Sequence, residues 1–152
     1  MVHARCTPPY HLQTRNMTKA EKVLAKMLDQ DAFSRWLGLE VDAVGEGWCR
    51  LHFTVKPDML NGFGIVHGGV IFSACDSAFA FACNSHGRIA VALDVSATFT
   101  KSTGLGETLF VAAIEQYLGN KTSVYEVKVT NETGFLVAIF KGTAYRTSKE
   151  IG

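Results

Sequence analysis

Asp76 is the only charged side chain between residues 68 and 85, a stretch otherwise made of small, apolar and neutral polar residues. It follows the run His67-Gly68-Gly69, and Asn61 lies just upstream of that run. These residue types can act on a carbonyl group. Gly68 and Gly69 fall in the first turn of the helix that the stretch implies, where backbone N–H groups have no intrahelical acceptor and carry the positive end of the macrodipole. Such N–H groups can stabilise a carbonyl oxygen that becomes negative during acyl transfer. Asp76 would supply the base or the nucleophile. A second reading stays open for each. The glycines also suit close packing, and Asp76 could be satisfied by a local hydroxyl such as Ser73 or by water. An ionised carboxylate on an apolar helix is costly unless it is paired, solvated or used.

Spacing adds a constraint. Asp76 lies eight residues past Gly68, about 12 Å along a helix axis. A carbonyl held at the Gly68 N–H cannot also touch Asp76 of the same helix. If both act on one carbonyl, they come from two copies of the chain whose helices run antiparallel. This predicts a dimer with two composite sites. Phe72, Ser73, Phe79, Ala80 and Cys83 lie three, four or seven positions from Asp76 and would border it. Phe72 and Phe79 could form the aromatic wall of an acyl or aryl pocket, or simply belong to the core. His67 does not form a Ser–His–Asp arrangement with Ser73 or Ser77, because no nucleophile-elbow sequence is present. It is expected to cap or position the loop. His67, Asp76 and His86 lack a metal-ligand spacing, so no metal is expected. Gly119-Asn120-Lys121-Thr122 lacks the glycine pattern of a phosphate loop.

The elements around this stretch read clearly. Thr18 with Glu21 forms a capping-box pattern. Val23, Leu24, Met27 and Leu28 follow at helical spacing, Phe33, Trp36 and Leu37 extend the stripe, and Gly38 ends it. Strands are expected over 39–44 and 49–55, with His52 on a polar face. The central helix runs from about 68 to 85, with Gly87 as its stop. Four further strands follow over 91–100, 108–117, 124–130 and 135–145, most joined by tight turns. Period-two alternation is cleanest in 91–100. Hairpin links imply antiparallel pairing. The result is an α+β layer of one long helix on an antiparallel sheet of about five to six strands. Residues 1–17 read as a mobile tail and 18–152 as a single domain.

Composition narrows the function classes. The chain has 152 residues, 47% hydrophobic and 19% charged, with a formal net charge of +1. That balance gives no electrostatic case for nucleic acid or an anionic membrane, and no apolar run reaches the ~18 residues of a membrane span. The four cysteines fit neither a zinc site nor a disulfide framework. A cytoplasmic protein with reduced thiols is expected.

As a set, Asn61, the run from Gly64 to Gly69, and Asp76 through Asn84 resemble the hot-dog-fold acyl-CoA thioesterases. The similar group is the phenylacetic-acid-degradation type, which Val124-Tyr125-Glu126 and residues 137–142 also resemble. The resemblance covers about 37–146. It implies hydrolysis of an acyl-CoA, phenylacetyl-CoA or a related aryl or medium-chain thioester, without a cofactor. Asp76 would activate water or attack directly. The Gly68 N–H, helped by Gly69, would polarise the carbonyl, Asn61 would position it, and Asp76 would face the partner subunit's glycine turn. It also implies dimers that pair into homotetramers, and CoA held by residues such as Lys101, Ser102 and Lys121. Two alternatives remain: a non-catalytic acyl-CoA sensor, and an enoyl-CoA hydratase. The hydratase reading asks for a His five positions after the Asp, where this chain has Phe81.

Overall fold

A computed structural model describes residues 16–152. Residues 1–15 of the expected tail lie outside the described residues. The chain opens with α1 (Lys19–Gln30), capped by Thr18. The Thr18 hydroxyl accepts from the Glu21 N–H at 3.2 Å, and the Glu21 carboxylate accepts from the Thr18 N–H at 2.7 Å. A second helix, α2 (Ala32–Leu37), follows directly. The single stripe expected from residue 19 to 37 is therefore two helices. Asp31 breaks it, because its side chain accepts from the Ser34 N–H at 2.9 Å and starts a new helix. Gly38 then ends α2 in the left-handed conformation, at φ 70°, which costs glycine nothing.

Strands β1 (Glu40–Gly45) and β2 (Trp48–Thr54) form a hairpin. A short 3₁₀ turn and a tight loop lead into α3 (Gly68–Asn84). Four strands follow: β3 (Arg88–Phe99), β4 (Thr108–Leu118), β5 (Thr122–Asn131) and β6 (Leu136–Glu150). All six form one antiparallel sheet in the order β1-β2-β4-β5-β6-β3. Tight turns join β4 to β5 and β5 to β6, as expected. The link from β3 to β4 is different. β3 pairs with β6 at the sheet edge, and the chain returns along the end of the sheet to lay β4 beside β2. That return is held by Val55 N–H to Glu107 O at 2.9 Å and Gly106 N–H to Val55 O at 3.0 Å.

The sheet wraps one side of α3. Alternate side chains face the helix: Leu51 and Phe53 on β2, Leu109 and Val111 on β4, Tyr125 and Val127 on β5, Phe140 and Ala144 on β6, all buried. From α3 the core takes Ile71, Ala74, Cys75, Ala78, Phe79, Ala82 and Cys83. Phe79 sits at the centre, its ring 5.6 Å from that of Tyr125 and 5.9 Å from that of Phe140. Burying one such side chain contributes about 1.5–3 kcal/mol. Gly142 makes room for it: a Cβ there would lie 2.7 Å from the Phe79 ring. Asn84 locks the end of α3 to the start of β3, donating to Ala80 O and Ala90 O and accepting from the Ala90 N–H.

Candidate active site

The loop before α3 is organised by Asn61. Its Oδ1 accepts from the Phe63 N–H at 2.9 Å and the Ile65 N–H at 3.4 Å. Its backbone closes a small hairpin: Asn61 N–H to Ile65 O at 2.8 Å, and Gly64 N–H to Asn61 O at 3.0 Å. Gly64 turns that hairpin at φ 75°, a conformation that side-chain-bearing residues rarely adopt. Val66 N–H to Thr103 O and His67 N–H to Met59 O, both 2.9 Å, fix the loop to its surroundings. With Oδ1 engaged, the Asn61 amide keeps its NH₂ as the group free to meet a ligand.

His67 is the N-cap of α3. Its Nδ1 accepts from the Gly69 N–H at 2.8 Å, which places the proton of a neutral ring on Nε2. This matches the expected capping role and corrects one detail. The Gly69 N–H, expected to help polarise a carbonyl, is already spent on His67. The Gly68 N–H has no acceptor among the described residues, so of the two glycines only Gly68 keeps an N–H able to meet a carbonyl oxygen. Phe99 closes the space beside it, 3.3 Å from where a Gly68 Cβ would stand.

In the single chain α3 keeps one open stripe, formed by Gly69, Phe72, Ser73, Asp76 and Ala80, and Asp76 is exposed on it. These positions share a face by their three- and four-residue spacing. Asp76 takes part in no ion pair or hydrogen bond among the described residues. The surrounding protein still strips it of water, which pushes its carboxyl above its ordinary value of 3.8. α3 is unbroken from Gly68 to Asn84. The separation of about 12 Å between Gly68 and Asp76 therefore holds within one chain.

The other expected residues divide. Phe72 is on the open stripe, its ring 5.4 Å from Phe140 and edge-on to it. Ser73 donates its hydroxyl to Gly69 O at 2.7 Å. Phe79 is 1% exposed in the core, because the sheet side of α3 passes through it; it walls no open pocket in this chain. Lys101 lies over the Phe135 ring at 5.2 Å, and Ser102 is exposed beside it. Both border the loop that leads into Gly68, through Thr103. Lys121 is at the opposite end of the sheet, in the β4–β5 turn, where its carbonyl accepts from the Arg146 N–H at 2.8 Å. Lys101 and Lys121 therefore do not meet within one chain.

The cysteines among the described residues are buried. Burial pushes Cys49, Cys75 and Cys83 up to about 12, with the Asp76 charge adding to the rise for Cys75 and Cys83; protonated thiols are poor nucleophiles. No group of three or more metal-ligating side chains occurs among the described residues.

What the arrangement resembles among known proteins decides its class. A model of the thioesterase superfamily matches residues 63–138, the span from the Asn61 hairpin through α3 to β6. Acyl-coenzyme A thioesterase PaaI of Escherichia coli strain K12 is 38% identical over 120 residues, covering 79% of this chain and 86% of the relative. The chain belongs to the thioesterase superfamily. The solved structure of the E. coli PaaI protein from the phenylacetic acid degradation operon matches this thioesterase with a TM-score of 0.86 at 36% identity, covering 88% of this chain and 97% of that one. A Streptococcus mutans protein solved bound to acetyl CoA matches it with a TM-score of 0.72 at 32% identity, covering 74% and 91%. The six-stranded sheet around α3 is the hot-dog fold. The protein is a thioester hydrolase of the PaaI-type acyl-CoA thioesterases.

Proposed function

We propose that this thioesterase hydrolyses acyl-CoA thioesters with an aryl or medium-length acyl group, phenylacetyl-CoA being the type substrate, to the free acid and CoA. One observation carries the reading. Asp76 and the Gly68 N–H are both without partners among the described residues, on the same helix and about 12 Å apart. Two groups suited to one carbonyl, and too far apart to share it, point to a second copy running antiparallel. The partner subunit's Gly68 then holds the thioester oxygen against this chain's Asp76. Two features support the dimer. The stripe around Asp76 carries small residues at Gly69, Ser73 and Ala80, which allow close approach. The β3 edge beside it exposes Val91 at 51% and Leu93 at 63%, an apolar border that a second copy would cover.

Asp76 acts as base or nucleophile, and the Gly68 N–H as the oxyanion donor. Asn61 positions the carbonyl through its free amide group, and His67 holds the helix start. Gly69 and Ser73 provide the small surface over which substrate passes, and Phe72 presents an aromatic edge to the acyl group. Lys101 and Ser102 sit at the Gly68 end, where the CoA phosphates would be met; in an antiparallel pair, Lys121 of one subunit lies toward the glycine end of the other. Dimers of this kind would pair into tetramers in the cytoplasm. No helix among the described residues is long and apolar enough to cross a membrane. Phe81 is buried at 2% exposure where a hydratase reading needs a histidine, which disfavours that chemistry.

The test is thiol release by the purified protein across acetyl-, medium-chain, long-chain and phenylacetyl-CoA. Release with the highest kcat/KM on phenylacetyl-CoA or a medium-chain substrate is expected. No release with any acyl-CoA, together with tight CoA-ester binding, would mean a sensor instead.

A further inference from the structure

We propose that Phe99 selects the acyl group: with Phe72 it walls an apolar groove beside the Gly68 N–H that takes a flat aryl acyl group. The proposal rests on the reading that this N–H holds the thioester oxygen. Phe99 is the last residue of β3. Three atoms of its ring stand 3.3, 3.5 and 3.8 Å from where a Gly68 Cβ would be. The ring therefore lies against the helix-start glycine whose N–H has no acceptor, yet it is still 49% exposed. The chain after it is held fast. Thr100 donates its N–H to Val137 O at 2.9 Å and its hydroxyl to Leu136 O at 2.7 Å.

The groove follows from the register of the sheet. Residues directly opposite on antiparallel strands have their side chains on the same face. Phe99 is opposite Ala138, and Ala97 is opposite Phe140. Ala138 and Phe140 are fully buried, and Ala97 packs against the core, so this is the face that meets α3. From the helix comes Phe72, four positions past Gly68 and on the same side of α3. Its ring meets that of Phe140 edge-on, centroids 5.4 Å apart, and it too stays partly open, at 36% exposure. One half-open ring from α3 and one from β3 thus border a floor of Phe140 and the small Ala97, with Gly68 at the end of the groove.

A thioester held at Gly68 has two arms. The CoA arm is large and charged and must stay in water. The acyl arm then takes the apolar side, next to Phe99. Aromatic rings attract one another in offset or edge-on arrangements with centroids about 4.5–7 Å apart, beyond what buried area alone gives. A saturated chain of similar size gains only the area. The groove therefore favours an arylacyl group over an alkyl chain of equal carbon count.

The plain alternative is a ring that only fills space beside the start of α3, which predicts lower stability or a loss of activity shared by all substrates. The experiment compares phenylacetyl-CoA with octanoyl-CoA, whose acyl groups have the same number of carbons, by thiol release in the wild type, Phe99→Leu, Phe99→Tyr and Gly68→Pro. The ratio of the two kcat/KM values does not depend on how much of a variant is folded. Phe99→Leu keeps an apolar side chain and loses the ring, so it should lower the phenylacetyl-to-octanoyl ratio about three- to tenfold. Phe99→Tyr keeps the ring, and at this half-exposed position its hydroxyl can reach water, so the ratio should stay near the wild-type value. An unchanged ratio in Phe99→Leu overturns the proposal, as does an equal fall in Phe99→Tyr. Gly68→Pro tests the reading beneath it. If kcat there stays at the wild-type level, the N–H does not hold the oxygen, and the groove loses its anchor and the proposal fails with it. If kcat falls there while the ratio in Phe99→Leu is unchanged, only the role of Phe99 fails.

Discussion

Asp76→Asn should separate catalysis from folding more cleanly than any other substitution. The carboxylate makes no ion pair and no hydrogen bond among the described residues, and it is exposed in the single chain. The amide has the same shape and leaves no buried group orphaned. A surface change of this kind alters stability by about 0.5 kcal/mol or less, so the melting temperature should move by only ~1–2 °C. The direction can be worked out. The protein raises the Asp76 pKa above 3.8 by removing water from it. A carboxyl whose folded value is raised binds its proton more tightly when folded. Its contribution is present below the unfolded value and is lost as pH rises through the folded one. At pH 7 the wild type therefore carries the cost of an ionised, partly desolvated group, and Asp76→Asn does not. The variant should melt slightly higher at pH 7, and the difference should close below about pH 3.8. Catalysis should move the other way and much further. Loss of a general base costs typically 10²–10⁴ in rate, about 3–5 kcal/mol of barrier. Thiol-release kinetics and thermal melts at several pH values measure both. In the wild type, the acid limb of kcat/KM should fall above the ordinary carboxylate range, because the base must be ionised. A variant with undiminished kcat, or one that melts far below the wild type, would refute the reasoning.

Two more substitutions probe the elements around it. Gly68→Pro removes the N–H proposed as the oxyanion donor at the first helical position, where proline is tolerated, and His67 before it already has the extended backbone that proline requires, at φ −63° and ψ 131°. With Gly68→Ala as control for contact with Phe99, the proline should cost about 10²–10³ in kcat, and mixing subunits of Gly68→Pro with subunits of Asp76→Asn should restore activity; no restoration would place both residues in separate single-chain sites. Gly142→Ala puts a methyl within 2.7 Å of the Phe79 ring, so overpacking should cost about 1–3 kcal/mol, read as a lower denaturation midpoint; an unchanged midpoint would mean that the Phe79 cluster repacks freely.

The sequence by itself determined most of the elements and which residues are candidates for the chemistry, though not the break between α1 and α2 at Asp31. The capping box at Thr18, the turn glycines and the alternation in the strands are local signals, written within a few residues of one another, and α3 appeared with its start at Gly68. The glycine turn and the single acid were equally legible as candidates, because an N–H at a helix start and a lone Asp on an apolar helix each suggest a use. Helical rise alone separated them. Tertiary structure decided what depends on distant partners. β2, β4 and β5 show the same period of two, so nothing local tells β4 to join β2, and nothing local tells β3 to join β6. Phe72 and Phe79 are the same residue type on the same helix, yet the sheet buries Phe79 and leaves Phe72 open. Gly68 and Gly69 are equivalent in sequence, and only the position of the His67 ring leaves one N–H free and caps the other. Asp76 belongs to both accounts. That it is the one charged side chain of α3 comes from the sequence, while its place on an open, small-residue stripe required the fold, because exposure depends on what the rest of the chain leaves uncovered.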